Sequence, residues 1–237
     1  MNVTSTRWLL EANQTADALF VFVSTIYVFD GQNPPYDEHA TPNPLSYYAY
    51  TKLQAEHLVR RSCSRTIIVR PMTLYGWHLP SQRTNCVTWL LRRLAQGEDV
   101  KIVNDIFNNH LWVGDASRAL IAAIEKECCG LFHLGGPTTL SRYELSLKVA
   151  DIFGFDRGRI LPVPSDHFPS LAPRPRDTSC TTRKMVDMLG IIPVDPDQGI
   201  EGMRSTRPPW AEEHPRANGQ ELFATEHPKT AFGSKGR

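Results

Sequence analysis

Tyr48 and Lys52 stand four residues apart in the segment Tyr48-Ala49-Tyr50-Thr51-Lys52. In a helix that spacing puts both side chains on one face, one turn apart. An ammonium one turn from a phenol favours the phenolate, and a hydroxyl brought in from a strand end can bind the same oxygen as the phenol does. Such a trio gives a proton to an oxygen, or takes one from it, while hydride moves at the adjacent carbon. Ser24 and Thr25 are placed to supply that hydroxyl.

The elements that must position these groups are legible on either side. Upstream, the apolar run Ala18-Leu19-Phe20-Val21-Phe22-Val23 ends at Ser24-Thr25, and downstream Thr66-Ile67-Ile68-Val69 ends at Arg70-Pro71. Short apolar runs bounded in this way read as buried strands. Two strands therefore flank one helix. That helix, beginning near Leu45, carries Tyr48, Lys52, Ala55, Leu58 and Val59 along one side and turns Glu56, Arg60 and Arg61 to solvent.

Taken in order, Ser24-Thr25-Ile26-Tyr27-Val28-Phe29-Asp30-Gly31, Pro35-Tyr36-Asp37-Glu38, Asn43-Pro44-Leu45, Tyr48-x-x-x-Lys52 and Arg70-Pro71-x-x-x-Tyr75-Gly76 resemble the extended short-chain dehydrogenases/reductases. Within them the chain, from about Asn2 to about Gly190, is most similar to the dTDP-4-dehydrorhamnose reductase family. That family also includes the non-catalytic regulatory β subunit of methionine adenosyltransferase, whose branch Asn33-Pro34-Pro35-Tyr36 also resembles.

The resemblance implies an α/β fold: a Rossmann-like doubly wound parallel sheet with a small C-terminal substrate lobe, at roughly 77–110 and 135–204 within a unit spanning 1–204. It implies reduction of a nucleotide-sugar ketone by NADPH or NADH. Tyr48 would protonate the carbonyl oxygen, Lys52 would activate it and bind the nicotinamide ribose, and Thr25, with Ser24 as fallback, would bind the same oxygen. Arg70 and Pro71 would pass the nicotinamide end of the cofactor, and Arg174, followed by Pro175 and Arg176, would grip the far end of the nucleotide sugar, where a guanidinium suits a diphosphate. In the regulatory alternative the partner is an enzyme such as methionine adenosyltransferase. Two departures are specific. Ile26 stands where the reductases carry Asp, and none of the fifteen glycines forms a G-x-x-G-x-x-G or G-x-G-x-x-G turn for the cofactor pyrophosphate. The expectation is a sheet lacking its N-terminal βα units, roughly 80 residues.

Composition bounds the rest. With 237 residues, 41% hydrophobic and 22% charged, the chain has the apolar content of a globular protein. A formal net charge of +1 gives no footprint for nucleic acid or an anionic membrane. The odd cysteine count, five, and the lack of C-x-x-C argue against a disulfide framework or zinc site and for a reducing, cytoplasmic setting.

Further along, residues 3–13 read as a helix, and Val87, Leu90, Leu91 and Leu94 repeat at helical spacing and mean core. Asp115 is read as the N-cap of the next helix, and Ser141-x-x-Glu144 as a capping box with Gly154 closing its helix. His133 reads as a packed or partly exposed strand residue rather than a base, since nothing nearby in the sequence pairs with it. Thr182–Leu189 reads as the last helix, and 205–237, with four prolines and scattered charge, as a disordered tail.

Overall fold

The computed structural model describes residues 2–62, 65–79, 81–168 and 172–206. The tail assigned to 205–237 therefore lies, from 207 on, outside the described residues. In chain order α1 (Asn2–Ala16) leads to β1 (Phe20–Val23), a 3-10 turn (Ile26–Val28), α2 (Tyr47–Ser62), β2 (Thr66–Pro71) and β3 (Leu74–Tyr75). Then come α3 (Cys86–Ala95), β4 (Val100–Val103), β5 (Phe107–Asn108), β6 (Leu111–Trp112), α4 (Val113–Glu125), β7 (Gly130–Leu134), β8 (Leu140–Ser141), α5 (Arg142–Phe153), β9 (Ile160–Val163) and α6 (Pro196–Ser205).

The architecture is mixed α/β, as expected. β1, β2 and β7 form a parallel sheet in that order, with Val23 opposite Val69 and Arg70 opposite His133. The first five residues of β2 are all buried, which explains its unbroken apolar run: a parallel strand covered on both faces has no solvent side to mark with polar residues. Smaller pairings, parallel β4–β9 and β3–β6 and antiparallel β5–β8, lie beyond it.

Three groups of core residues result. One, with Val69, Phe132, Leu134 and Met185, covers one face of the three-stranded sheet; a second packs Leu10, Ala55 and Val59 against Phe22, Ile68 and Leu131 on the other; a third joins α3, α5 and α6 through Leu90, Leu91, Val149 and Ile200. The helical repeat over 87–94 is buried as its spacing required. Ser141 and Glu144 form the expected capping box, and Gly154 closes α5 at φ 75°, a conformation that side chains other than Gly resist.

Three expectations need correction. Glu56 does not face solvent; it is 1% exposed, because it pairs with Arg70. Asp115 is not the N-cap of α4: Trp112 holds that position, and Asp115, inside the first turn and buried, pairs with Arg118 and accepts the Val194 amide at 2.8 Å. The Thr182–Leu189 segment is not the last helix. Its 185–189 portion is a π-helical turn, and α6 follows with Asp195 as its capping-box residue and Pro196 in its first turn. His133 is the packed strand residue expected, wholly buried in β7, but it does have a neighbour: its Nε2 lies 3.4 Å from Arg70 Nη1.

Candidate functional site

β1 ends at Val23, and the chain turns at once into the 3-10 segment. Thr25 caps that turn: its Oγ1 accepts the Tyr27 amide at 3.3 Å, which leaves the hydroxyl proton to be given elsewhere. Ser24 is committed differently. Its Oγ donates to Glu56 Oε1 at 2.5 Å, so of the two hydroxyls Thr25 is the one whose proton stays available. Ile26, in the departure from the reductase pattern, is buried in the sheet core.

α2 delivers the other two members. Tyr48 is 50% exposed and lines a cavity of about 380 Å³ together with Tyr27, Ser46, Arg142 and Arg174. Lys52 Nζ donates to the carbonyl of Val23 at 2.9 Å and lies 5.1 Å from the centre of the Phe22 ring; burial lowers its pKa from the ordinary lysine value. Tyr48 and Arg174 thus share one cavity. Thr25 and Lys52 are not in its wall: Thr25 follows the end of β1, and Lys52, on α2, is tied to the carbonyl of that strand's last residue.

Arg70 and Pro71 are placed elsewhere. The Arg70 guanidinium is 2% exposed and makes a two-pronged pair with Glu56, Nε to Oε1 at 2.9 Å and Nη2 to Oε2 at 2.7 Å. Pro71 is the last residue of β2 and lies opposite Leu134.

A second cavity, about 790 Å³, adjoins the first and shares Arg142, Ala172, Pro173 and Arg174 with it. Its wall adds Lys101 and Arg176 as cations and Trp89 and Phe168 as aromatic faces. The Arg174 segment is held there by its neighbours. The Phe107 amide donates to the Arg176 carbonyl at 2.7 Å, and the Thr178 amide to that of Phe107 at 3.1 Å. Gly31 (φ 82°) packs beneath, where a Cβ would meet Arg176 N and the Pro175 Cβ at 3.0 Å. The loop after the 3-10 turn, by contrast, uses its polar groups on itself: Tyr36 Oη and Asn43 Nδ2 both donate to Asp30 at 2.9 Å.

Arg142 was not singled out from the sequence, although a signal existed. It is the first residue of α5, where the helix dipole disfavours a cation. A cation placed against that preference, at a helix start whose capping box satisfies the Glu144 amide but not the earlier first-turn N–H groups, adds positive charge where an anion can be held.

Residues 1–205 match the family model described as the RmlD substrate binding domain. The chain is 26% identical over 186 residues to the methionine adenosyltransferase 2 subunit beta of Danio rerio, covering 76% of this chain and 57% of that protein. It is 32% identical over 160 residues to a dTDP-4-keto-6-deoxy-D-glucose reductase of Streptomyces niveus, covering 67% of this chain and 54% of the relative. Among solved structures, the dTDP-4-dehydrorhamnose reductase of Bacillus anthracis in complex with NADP superposes with a TM-score of 0.78 at 26% identity, over 86% of this chain and 71% of that one. The chain thus spans a little over half the length of these curated relatives. Among the described residues no helix is long and apolar enough to cross a membrane.

Proposed function

We propose that this chain, which belongs to the RmlD substrate binding domain family, takes part in NADPH- or NADH-dependent reduction of a nucleotide-sugar ketone. One observation carries the reading: a crevice with the Tyr48 phenol at one end continues past Arg142 and Arg174 to Lys101, Arg176, Trp89 and Phe168 at the other. A sugar ketone at the phenol, a diphosphate at the guanidinium groups and a base against the aromatic faces suit that order of chemistry.

In this reading Tyr48 gives its proton to the carbonyl oxygen, and Thr25 hydrogen-bonds the same oxygen. The Lys52 ammonium, fixed on the Val23 carbonyl, adds positive charge where phenolate develops. A bound nicotinamide would supply hydride to the carbonyl carbon. The residues proposed for that end of such a cofactor are Tyr48, which lines the cavity, and Lys52 and Thr25 at the end of β1; the chain holds no glycine-rich turn for a pyrophosphate.

The test is calorimetric titration of the purified chain with NADPH and with NADH, followed by a ketone-reduction assay on dTDP-4-dehydrorhamnose. Micromolar binding with turnover supports the reading; a folded chain that binds neither nicotinamide overturns it. A second reading, regulation of another enzyme, is favoured by the similarity to the methionine adenosyltransferase β subunit. A regulator would co-purify with a methionine adenosyltransferase and keep doing so after Tyr48→Phe.

A further inference from the structure

Tyr48, Lys52 and Glu56 follow one another at four-residue intervals along α2, so one stripe of the helix descends from the cavity into the core. Tyr48 at its upper end is half exposed and Glu56 at its lower end is buried. The Glu56 carboxylate accepts three hydrogen bonds: from Ser24 Oγ at 2.5 Å and Arg70 Nε at 2.9 Å on Oε1, and from Arg70 Nη2 at 2.7 Å on Oε2. Ser24 directly follows β1, Arg70 lies near the end of β2 and Glu56 belongs to α2. A single carboxylate therefore joins the three elements that converge on the phenol, the ammonium and the Thr25 hydroxyl.

The guanidinium is held on its remaining sides as well. Its carbon lies 5.2 Å from the centre of the Phe29 ring, and Phe29 stacks on Tyr36 with centroids 4.1 Å apart. Phe29 closes the 3-10 turn that Thr25 opens, so the ion pair braces both ends of that turn. A buried ion pair adds little net stability over apolar packing of the same shape, since desolvation offsets the attraction. What it does supply is a fixed distance between the groups it links.

We propose that Glu56 is a positioning residue: it holds Ser24, and through it Thr25, in register with Tyr48 and Lys52. The role rests on the reductase reading given above. Removing the clamp lets the strand end drift against the helix, and a displacement on the order of 1 Å between reacting groups costs about a hundredfold in rate.

The experiment compares the wild-type chain with Glu56→Gln, Ser24→Ala and, as a control for stability alone, Val149→Ala in the core group that joins α3, α5 and α6. Two readouts are taken on each: kcat and KM for ketone reduction, per folded molecule, and amide exchange at Tyr27, whose N–H reports on the Thr25 hydroxyl. Glu56→Gln and Ser24→Ala are expected to lower kcat at least about tenfold with KM within about twofold, and to speed Tyr27 exchange at least about tenfold. Val149→Ala is expected to lower the melting temperature without either change. Should Glu56→Gln not fold, Ser24→Ala, which keeps the ion pair, decides alone. Unchanged kcat and unchanged Tyr27 exchange in Ser24→Ala overturn the proposal. A wild-type chain without turnover sinks the reductase reading instead, and Tyr27 exchange then decides whether the clamp exists.

Discussion

The ammonium of Lys52 is bound to the carbonyl of Val23 at 2.9 Å, and Val23 ends β1, one of the two outer strands of the three-stranded sheet among the described residues. The lysine thereby links the middle of α2 to the strand end that presents Thr25. It also fixes positive charge at that strand end, outside the cavity wall. Replacing it removes a charge that the proposed reaction needs and a tie that the fold can spare.

Lys52→Met is therefore expected to leave the melting temperature within about 4 °C of the wild type while lowering turnover by at least about a hundredfold. Burial lowers the lysine pKa, so the ammonium is lost at lower pH than in a free lysine. Turnover should fall on the alkaline side below that ordinary value, and the limb should vanish in the variant. Thermal unfolding and a pH–rate profile check both halves.

Tyr48→Phe separates chemistry from binding. The phenol ring lines the cavity and Phe keeps that wall, so substrate affinity should change less than about threefold while turnover falls by about 100- to 10,000-fold. Tyr50→Phe, also half exposed but without a lysine four residues on, should do neither. Equal loss in the two variants would sink Tyr48 as the proton donor.

Much of this arrangement was legible in the sequence, and the part that was not has a physical explanation. The strands 20–23 and 66–71 and the helix between them announced themselves by apolar runs and a four-residue spacing, which depend on local order alone. Glu56 was misplaced for the same reason: by helical position beside Arg60 it belongs with the charged face, and only the return of β2 brings Arg70 to bury it. Asp115 looked like a cap because its type favours caps, yet its partners, Arg118 and the Val194 amide, include one 79 residues away. α6 escaped notice because Pro196 and two glycines weaken its pattern, although Asp195 and Gln198 form a capping box. Arg142 carried a signal, a cation opposing a helix dipole, that becomes meaningful once the crevice is seen.

Two buried histidines should make the fold sensitive to acid. Burial holds the His110 imidazole down at about 3, with the Arg142 charge assisting. Burial likewise holds His133 at about 3, with the charges of Arg70 and Lys184 assisting and that of Asp37 opposing. Both are neutral in the fold and both take a proton near pH 6.5 when unfolded, so the unfolded state binds more protons between those values. Stability should fall as pH drops from about 6.5 towards 3, by about 1.4 kcal/mol per pH unit for each histidine. Urea unfolding at pH 7, 6 and 5 measures the slope, and His133→Gln should remove about half of the histidine contribution. A slope unchanged by that variant would show that His133 does not carry it.

The crevice itself makes the last testable claim. Arg142 opens α5 and borders both cavities, as Arg174 does, so a diphosphate lying between phenol and aromatic faces must pass both guanidinium groups. A charge-assisted hydrogen bond contributes about 1.5–3 kcal/mol, and each of Arg142→Ala and Arg174→Ala should therefore weaken dTDP binding by at least about tenfold. Thymidine, lacking phosphate, should bind the variants and the wild type alike. Raising the salt concentration should weaken dTDP binding in the wild type more than in either variant, because fewer charges remain to be screened. Calorimetry with the two ligands at two ionic strengths checks this, and equal losses for dTDP and thymidine would move the arginines from phosphate recognition to general packing of the crevice wall.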